Sequence, residues 1–339
     1  MLRAIRRVLR MPHKLAMLQL ALGMRKQSWL NTAHALSECG VLRELDSPRS
    51  EDDLARALGI VHRDAFRSLL AEGVRHKLLR RGSDGRLSRR GRFARCLTDE
   101  RGRPVDAMMT EIVTYHQEVA RNLPALLRGE APQDYLARYG ALVAVSSRIA
   151  EPMILDFMQG VLGTGSHRIL EIGCGAGAYL VDYAKWNPET RGVGLDLSAD
   201  VASLAEATLA RAGLADRFRV AQGDARRADA LPEGPFDVIT AHQNLYYFDE
   251  GERRDLWTRC RSLLAPEGRV AIVTTAQGGP MSDYFDLILR STSGCTSLPT
   301  MDQACAELEA AGFTDVRRER LMPGDEFWGI VATATSSPA

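Results

Sequence analysis

The stretch that decides the fold is RILEIGCGAGA, residues 168–178. A run of mainly apolar residues leads into three glycines at alternate positions, Gly173, Gly175 and Gly177. Glycines at this spacing let the backbone turn sharply and approach a ligand where no side chain would fit. A helix that starts directly after the turn offers free backbone N–H groups to the same ligand. The segment therefore predicts a strand, a ligand-binding turn and a helix.

Strand and helix patterns alternate from this stretch towards the end of the chain. Strands are predicted at 168–174, 191–197, 218–224, 236–242 and 268–276, and then at 314–321 and 327–335. Helices are predicted between them at 178–186, 198–213, 251–265 and 300–311. Alternating units of this kind form an α/β fold, with a mostly parallel sheet covered by helices on both faces. The two adjoining strands at the end predict an antiparallel strand at or near one edge.

Three acidic residues lie at the ends of the first three predicted strands. Glu171 precedes the first glycine by two residues, where a carboxylate would repel a pyrophosphate but suit a cationic ligand. Asp196 ends the second strand, 19 residues after the last glycine, and can accept hydrogen bonds from both hydroxyls of a ribose. Asp224, within Gly223-Asp224-Ala225, could accept a hydrogen bond from an adenine amino group. These acids argue against a nicotinamide dinucleotide, which the glycine spacing alone would permit.

This combination, with the terminal pair of strands, resembles the class I S-adenosylmethionine-dependent methyltransferases over about residues 165–335. The family's glycine-rich motif corresponds to EIGCGAG, its ribose-binding acid to Asp196 and its adenine-contacting acid to Asp224. The resemblance implies a Rossmann-like, mostly parallel seven-stranded sheet with an antiparallel terminal strand, and S-adenosylmethionine as the cofactor. The cofactor-binding residues that it implies are Glu171, Gly173, Gly175, Gly177, Asp196, Leu197, Gly223, Asp224, Ala225 and Ala241.

The N-terminal part of the chain has a different pattern. Helices are predicted from residue 28 to an end near Gly40 or Leu45, within 47–60 between the N-cap Ser50 and Gly59, and at 62–79. Alternation around a Ser-Asp-Gly turn at 78–94 then predicts a β-hairpin. Three helices and a hairpin form a winged helix-turn-helix, and a further helical region follows at 105–163.

This order of domains is similar to that of the small-molecule O-methyltransferases of plants and of bacterial secondary metabolism. The similarity implies a winged-helix dimerisation domain at 1–104, a helical connector that helps form the substrate pocket at 105–163, and a cofactor-binding domain at 164–339. It also implies a homodimer and a small, aromatic methyl acceptor, with oxygen favoured over carbon or nitrogen. Tyr115 and His116 are candidate pocket residues, although His116 also fits a histidine of the protein core.

The resemblance departs from the plant-type pattern at the catalytic histidine. The corresponding stretch is FDVITAHQNLYYFDEGE, residues 236–252. Counting forward from Asp237 places Tyr246 at the position of the histidine, and counting back from Asp249-Glu250 places Leu245 there. His242 and Tyr246 are therefore the candidates for a base or for orienting the acceptor, though each could only hydrogen-bond or line the pocket. A related iron-binding subset needs a histidine at the same place, so no metal is expected. Because a sulfonium methyl is already electrophilic, positioning alone could suffice.

Composition and charge leave a second class of function open. Residues 1–104 contain 23 Lys and Arg against 11 Asp and Glu, whereas the remainder contains 21 against 32. A basic N-terminal half with arginines throughout 80–95 would also suit a DNA-binding regulator that senses S-adenosylmethionine. However, the third predicted helix carries a continuous apolar stripe that favours subunit contact over a DNA groove, so nucleic acid is not the expected partner. A non-methylating enzyme with the same cofactor is a further alternative.

The remaining features of the sequence concern the cellular compartment of the protein. Six scattered cysteines without a C-x-x-C pair indicate a reducing environment, and no run of 18 apolar residues predicts a membrane span. The basic, apolar segment at 3–26 predicts a pair of helices broken at Pro12 that pack on a partner subunit, although a signal peptide has the same shape. The sequence thus predicts a cytoplasmic protein that does not bind membranes.

Overall fold

The computed structural model describes residues 7, 8 and 10–334, which form two compact units. The first unit extends to Asn122 and also contains Tyr135–Ile149, and the second contains Leu123–Asp134 and the chain from Ala150 onward. The segment predicted as a connector at 105–163 is therefore shared between the two units. The functional boundaries at 104 and 163 stay a prediction.

The first part of the chain is helical apart from one hairpin. Its elements are α1 (Lys14–Glu38), α2 (Val41–Glu44), α3 (Glu51–Ala57), α4 (Arg63–Arg75), β1 (Leu79–Arg81), β2 (Leu87–Arg89), α5 (Gly91–Cys96), α6 (Arg103–Val113), α7 (Tyr115–Leu126) and α8 (Tyr135–Ser146). The strands β1 and β2 pair antiparallel, so the predicted hairpin is confirmed. Fully buried leucines on α1, α2, α3, α4 and β1 form the core of this unit.

The helix bounds in this unit follow from local capping. Of the two ends considered for the helix predicted from residue 28, the one near Gly40 is observed, because Gly40 adopts a left-handed φ of 78° that separates this helix from the next. Ser50 caps α3 as predicted, with its side chain accepting a hydrogen bond from the Asp53 N–H at 3.1 Å. The third helix ends at Arg75 instead of 79. The order of three helices and a hairpin is present, and its classification as a winged helix stays a prediction.

The second unit contains a seven-stranded sheet with helices between its strands. Its elements are α9 (Glu151–Leu162), β3 (Arg168–Ile172), α10 (Ala178–Trp186), β4 (Arg191–Asp196), α11 (Ala199–Arg211), β5 (Phe218–Gln222), β6 (Phe236–His242), α12 (Glu250–Leu263), β7 (Leu264–Thr275), α13 (Pro280–Arg290), α14 (Met301–Ala310), β8 (Thr314–Arg320) and β9 (Phe327–Thr333). The strands follow the order β5-β4-β3-β6-β7-β9-β8.

Strand directions confirm the predicted fold class. β5, β4, β3, β6 and β7 pair in parallel, whereas β9 pairs antiparallel with both β7 and β8. The predicted antiparallel terminal strand is therefore present, one position in from the sheet edge. Two elements differ from the prediction: β7 begins at Leu264, four residues early, and α13 was not expected.

Apolar side chains cover both faces of the sheet. This is expected because successive side chains of a strand point to opposite faces, and both faces are buried here. On one face, Leu170 and Ile239 pack with α12 and α14, and Trp257 is the largest fully buried side chain there. On the other, Ile169 and Val238 pack with α9, α10 and α11. Both faces are thus closed by helices, which leaves the carboxyl ends of the parallel strands as the place for a ligand.

Two further properties concern membranes and metals. Among the helices of the described residues, none is long and apolar enough to cross a membrane. Across residues 10–334, no group of three or more His, Cys, Asp or Glu side chains is placed to hold a metal ion.

Candidate active site

The glycine-rich turn between β3 and α10 is held against the end of the neighbouring strand. The N–H groups of Gly173 and Cys174 both donate to the Leu195 carbonyl, at 2.8 and 3.0 Å. A Cβ atom placed on Gly175, where φ is 53°, would meet no atom within 4 Å. The turn therefore presents open backbone beside its middle glycine, as a close approach by a ligand requires.

Asp196 organises the turn and both flanking elements. One carboxylate oxygen, Oδ2, accepts a hydrogen bond from the Gly175 N–H at 3.0 Å, and the other, Oδ1, accepts from the Ser198 N–H at 3.1 Å. Its backbone carbonyl accepts from the Gly223 N–H at 2.8 Å. The next residue, Leu197, exposes 57% of its surface at the exit of β4. A carboxylate and an apolar surface therefore lie together where a nucleoside could bind.

Asp224, at the end of β5, has a partner that the sequence did not predict. Arg226 donates through Nε to both carboxylate oxygens, at 2.9 and 3.1 Å, and through its backbone N–H at 3.0 Å. Partial burial opposes ionisation of Asp224, but these hydrogen bonds outweigh it and lower the pKa. An adenine amino group that bound here would therefore donate to an ionised Asp224 carboxylate that already accepts hydrogen bonds from Arg226.

Glu171 is a buried acid without a cation beside it. It exposes 2% of its surface, and its Oε2 has no hydrogen-bond partner within the described part of the chain. Burial, followed by the nearby charge of Asp196, raises its pKa well above the ordinary value. A positively charged ligand would reverse this penalty, in keeping with the prediction that this acid suits a cationic ligand.

His242, one of the two candidates for a base, is enclosed by two tyrosines of α10. Its Nε2 lies 2.9 Å from the Tyr183 hydroxyl oxygen, and the Tyr179 ring meets it edge-on at a centroid distance of 5.4 Å. Burial lowers its pKa from 6.5 to about 3. The imidazole is thus neutral near pH 7 and a weak base, and its geometry favours hydrogen bonding over proton transfer.

Tyr246 lies in a tightly held turn after β6, at Leu245–Tyr247. Its carbonyl accepts hydrogen bonds from the backbone N–H and the hydroxyl of Thr296, at 2.7 and 3.1 Å. Its buried ring stacks at a tilt on Tyr247 and meets Phe285 edge-on, at centroid distances of 4.7 and 5.6 Å. The Tyr246 ring is therefore fixed by aromatic packing, and its role towards an acceptor stays a prediction.

A buried ion pair supports the same turn from the other side. Arg253 on α12 binds Glu307 on α14 through Nε and a terminal nitrogen, at 2.9 and 2.7 Å, and both side chains are almost fully buried. Its other terminal nitrogen donates to the Phe248 carbonyl at 2.9 Å. The position of the turn at Leu245–Tyr247 therefore depends on a charge pair that local sequence patterns do not reveal.

The two candidate pocket residues of the first unit are buried within it. The Tyr115 ring lies 5.4 Å from the rings of both Tyr135 and Tyr139. His116 Nε2 lies 3.2 Å from Glu111 Oε1, and the other oxygen of that carboxylate accepts a hydrogen bond from Ser146. Their contact with a substrate stays a prediction.

The structure thus brings together most of the predicted cofactor residues. The glycine turn, Asp196 and Asp224 lie at the carboxyl ends of three adjacent strands. Ala241 is fully buried in the apolar cluster that packs with α12 and α14, and its contact with a cofactor stays a prediction. Asn244, which the sequence did not indicate as a site residue, lies in the same segment as His242 and Tyr246. The polar pair Gln243-Asn244 directly after an apolar strand was the signal for it.

Comparisons with known proteins agree with this architecture. Residues 169–268 match the family model described as a methyltransferase domain. A curated relative, the 3-hydroxy-5-methyl-1-naphthoate 3-O-methyltransferase of Streptomyces sahachiroi, is 31% identical over 174 residues, which cover 50% of this chain and 49% of that protein. The chain spans about half the length of the curated relatives it matches first.

Solved structures match over nearly the whole chain. The mitomycin 7-O-methyltransferase has a TM-score of 0.79 at 20% identity, covering 94% of this chain and 98% of that one. A methyltransferase in calicheamicin biosynthesis, solved with S-adenosylhomocysteine bound, has a TM-score of 0.71 at 21% identity, covering 95% and 99%. These matches confirm the predicted class I methyltransferase fold.

Proposed function

We propose that this chain, which carries a class I methyltransferase domain, transfers a methyl group from S-adenosylmethionine to an oxygen atom of a small aromatic acceptor. The observation that carries the proposal is Asp196, which binds the glycine turn and lies beside an exposed leucine at the carboxyl end of the sheet. The O-methyltransferases among the relatives support the acceptor class. Incubation with methyl-labelled S-adenosylmethionine and a panel of phenols, naphthols and aryl amines tests it, and labelled aryl ether is the expected product.

The residues present fit this cofactor. Asp196 would hold the ribose, and the open backbone at Gly175 would admit the ligand chain. Glu171 suits a ligand that brings positive charge into a buried place. The cofactor supplies an electrophilic sulfonium methyl. The protein supplies the alignment: the held turn at Leu245–Tyr247 would fix the acceptor, and burial would exclude water.

We expect catalysis to depend on positioning more than on a protein base. Because the pKa of His242 is about 3, His242→Gln should lower kcat by less than about tenfold. The pH dependence of kcat should follow the ionisation of the acceptor, without a limb near 6.5 from an imidazole. Tyr246→Phe should raise KM with a smaller fall in kcat. Steady-state kinetics between pH 5 and 9 measure these effects.

Two outcomes would contradict this view. General base catalysis usually contributes a factor of about 10²–10⁴ to the rate. If turnover by His242→Gln fell by such a factor while S-adenosylhomocysteine still bound normally, His242 would be the base. A similar fall in Tyr246→Phe would assign that role to the phenol. Binding calorimetry on each variant separates these cases from a disturbed cofactor site.

We also propose a homodimer in which α1 packs on a second copy of the chain. Residues 14–27 of this helix are exposed throughout, and the large apolar side chains Leu15, Met17, Leu18, Leu20, Leu22 and Met24 fall on two opposite sides of it at helical spacing. Exposed apolar surface of this extent usually marks an interaction site, and a monomer would leave it in water.

Removal of the exposed part of α1 tests the assembly. A chain shortened to begin at Ser28 should lose the dimer or aggregate, as measured by light scattering. Charged substitutions on one side, Leu15→Glu with Leu22→Glu, should shift the full-length chain towards monomer, whereas Gln19→Glu at an already polar position should not. A shortened chain that is a stable, active monomer would contradict the proposal.

A DNA-binding regulator remains the alternative from a different class. It rests on the basic charge of residues 1–104 and on the hairpin of β1 and β2, whose arginines are largely exposed. Titration of a random duplex at several salt concentrations distinguishes the two functions, because binding to phosphates weakens steeply as salt increases. We expect no shift of the duplex at about 150 mM salt.

A further inference from the structure

Asp224 and Arg226 form a salt bridge within the turn that follows β5. The Arg226 Nε donates to Oδ1 and Oδ2 of Asp224 at 2.9 and 3.1 Å, and the Arg226 backbone N–H donates to Oδ1 at 3.0 Å. Both side chains keep contact with solvent, since 27% of the Asp224 side chain and 37% of the Arg226 side chain are exposed. A carboxylate and a guanidinium group therefore lie side by side where a ligand can reach both.

The turn that carries this salt bridge is anchored to α12. A terminal nitrogen of Arg259 donates to the Ala225 carbonyl at 3.4 Å. A terminal nitrogen of Arg226 lies 3.8 Å from Oε1 of Glu252, whose other carboxylate oxygen takes part in the capping box that begins α12. Arg226 thus has acids on two sides, which keep its guanidinium group next to Asp224.

The hydrogen bonds of this turn leave one oxygen of Asp224 with room for a further donor. An oxygen of an ionised carboxylate can accept about two hydrogen bonds. Oδ1 accepts two, whereas within the part of the chain that the structure describes Oδ2 accepts only a share of the Arg226 Nε–H. Partial burial raises the pKa of this carboxyl, but the hydrogen bonds from Arg226 outweigh burial and lower it. Asp224 is therefore ionised near pH 7 and offers Oδ2 as an acceptor.

The group at the 6-position of a purine decides how it meets such a salt bridge. Under the proposed function, on which this inference rests, the 6-position of the cofactor's purine faces Asp224. Adenine carries an amino group there, which donates hydrogen bonds, whereas a 6-oxopurine carries a carbonyl oxygen, which accepts them. A carboxylate binds the amino group and repels the carbonyl. A free guanidinium group has the opposite preference, because it can donate to O6 and N7 together.

We propose that Arg226 is a specificity-determining residue, whose donors are withheld from the purine because Asp224 binds them. The salt bridge then presents a single free acceptor, Oδ2, and selects the amino group of adenine. Without the carboxylate, the guanidinium group would face the purine as a free donor and would select a 6-oxopurine. The two side chains act as one unit, in which the arginine fixes the orientation of the acid and the acid masks the arginine.

The experiment compares two ligands by calorimetry on the full chain at pH 7. The probes are S-adenosylhomocysteine and S-inosylhomocysteine, which has a carbonyl oxygen at the 6-position in place of the amino group. The wild-type protein should bind the first about 10- to 100-fold more tightly, as expected for a hydrogen bond to a charged group. Asp224→Ala should reverse this preference to about fivefold or more in favour of S-inosylhomocysteine, since the freed guanidinium group matches O6 and N7. The double variant Asp224→Ala with Arg226→Ala should bind the two ligands within about threefold of each other.

Two further variants examine Arg226 while the carboxylate is present. Arg226→Ala leaves the orientation of Asp224 unfixed, so the preference for S-adenosylhomocysteine should fall about 3- to 10-fold, the range of coupling between residues in contact. Arg226→Lys keeps the charge and should recover part of the preference. The matched control is Arg227→Ala, on the next residue, because Arg227 pairs with the exposed Asp229 at 2.7 Å. This control should keep the wild-type preference, and a thermal melt on each variant verifies that it is folded.

Several results would overturn the inference. Equal binding of the two ligands to the wild-type protein would show that the 6-position is not recognised here, and this result needs no variant. A wild-type preference in Asp224→Ala would show that Arg226 does not face the purine, and a reversed preference that persists in the double variant would assign the reversal to another group. An unchanged preference in Arg226→Ala would refute its effect on Asp224, even if Asp224→Ala binds neither ligand.

The same measurements separate this inference from the proposed function. If the wild-type protein does not bind S-adenosylhomocysteine at all, the proposed function fails, and the role of Arg226 fails with it. If S-adenosylhomocysteine binds but any of the contradicting preferences is found, only the role of Arg226 is refuted.

Discussion

Glu307→Ala is expected to destabilise the protein by about 3–5 kcal/mol, the usual cost of removing one partner of a buried ion pair. The variant leaves the Arg253 guanidinium in a place where only 5% of that side chain reaches solvent. Since this guanidinium also holds the Phe248 carbonyl, the turn at Leu245–Tyr247 should loosen and, under the proposed function, KM for the acceptor should rise. Thermal denaturation measures the first effect, as a fall in Tm on the order of 10 °C.

The neighbouring pair Arg254–Glu250 provides the control. It lies on the same helix, but both side chains are more than half exposed, so Arg254→Ala should change stability by no more than about 1 kcal/mol. The double variant Arg253→Met with Glu307→Leu should recover much of the loss, because apolar replacement of a whole buried pair is often neutral. Equal destabilisation by Arg254→Ala and Glu307→Ala would show that burial does not determine the contribution of these pairs.

Asp196→Ala should weaken the binding of S-adenosylhomocysteine by about 10- to 150-fold, equivalent to about 1.5–3 kcal/mol for hydrogen bonds to a charged group. The loss has two sources, since the same carboxylate would hold the ribose hydroxyls and also accepts the Gly175 N–H. Isothermal titration calorimetry on the purified chain measures it directly.

Two further variants test whether the loss of affinity for S-adenosylhomocysteine arises from the Asp196 carboxylate. Asp196→Asn keeps an acceptor for the Gly175 N–H but loses the charge, so its affinity should lie between those of the wild type and Asp196→Ala. Asp200→Ala removes an exposed acid from the first turn of α11 and should bind normally. Calorimetry that finds the wild-type Kd in Asp196→Ala would remove Asp196 from the proposed cofactor site.

The parts of the site that could be predicted are those determined by residue type and local position. Glycines after a strand and acids at strand ends have few interpretations in an α/β pattern. The parallel sheet places consecutive strand ends side by side, so the turn at Gly173–Gly177 and the acid at Asp196 were expected to meet. Residue type and local position also predicted Ser50 as the N-cap of a helix.

The parts that could not be predicted depend on partners distant in the sequence. Arg253 and Glu307 are 54 residues apart, and Asn244 and the Ile172 carbonyl are 72 apart. No local pattern specifies which side chains meet across helices or strand ends. The weak basicity of His242 was missed for the same reason, because it follows from enclosure by α10, which only the folded structure reveals.

The position of β9 in the sheet also determines when the fold can be completed during synthesis. β9 is the last strand in the chain order, yet it lies between β7 and β8. Until residues 327–333 leave the ribosome, the long apolar strand β7 has an unpaired edge, the kind of edge that promotes association with other chains. The nascent domain therefore passes through an aggregation-prone stage that ends only with its final strand, and slow translation or truncation near Phe327 would prolong it.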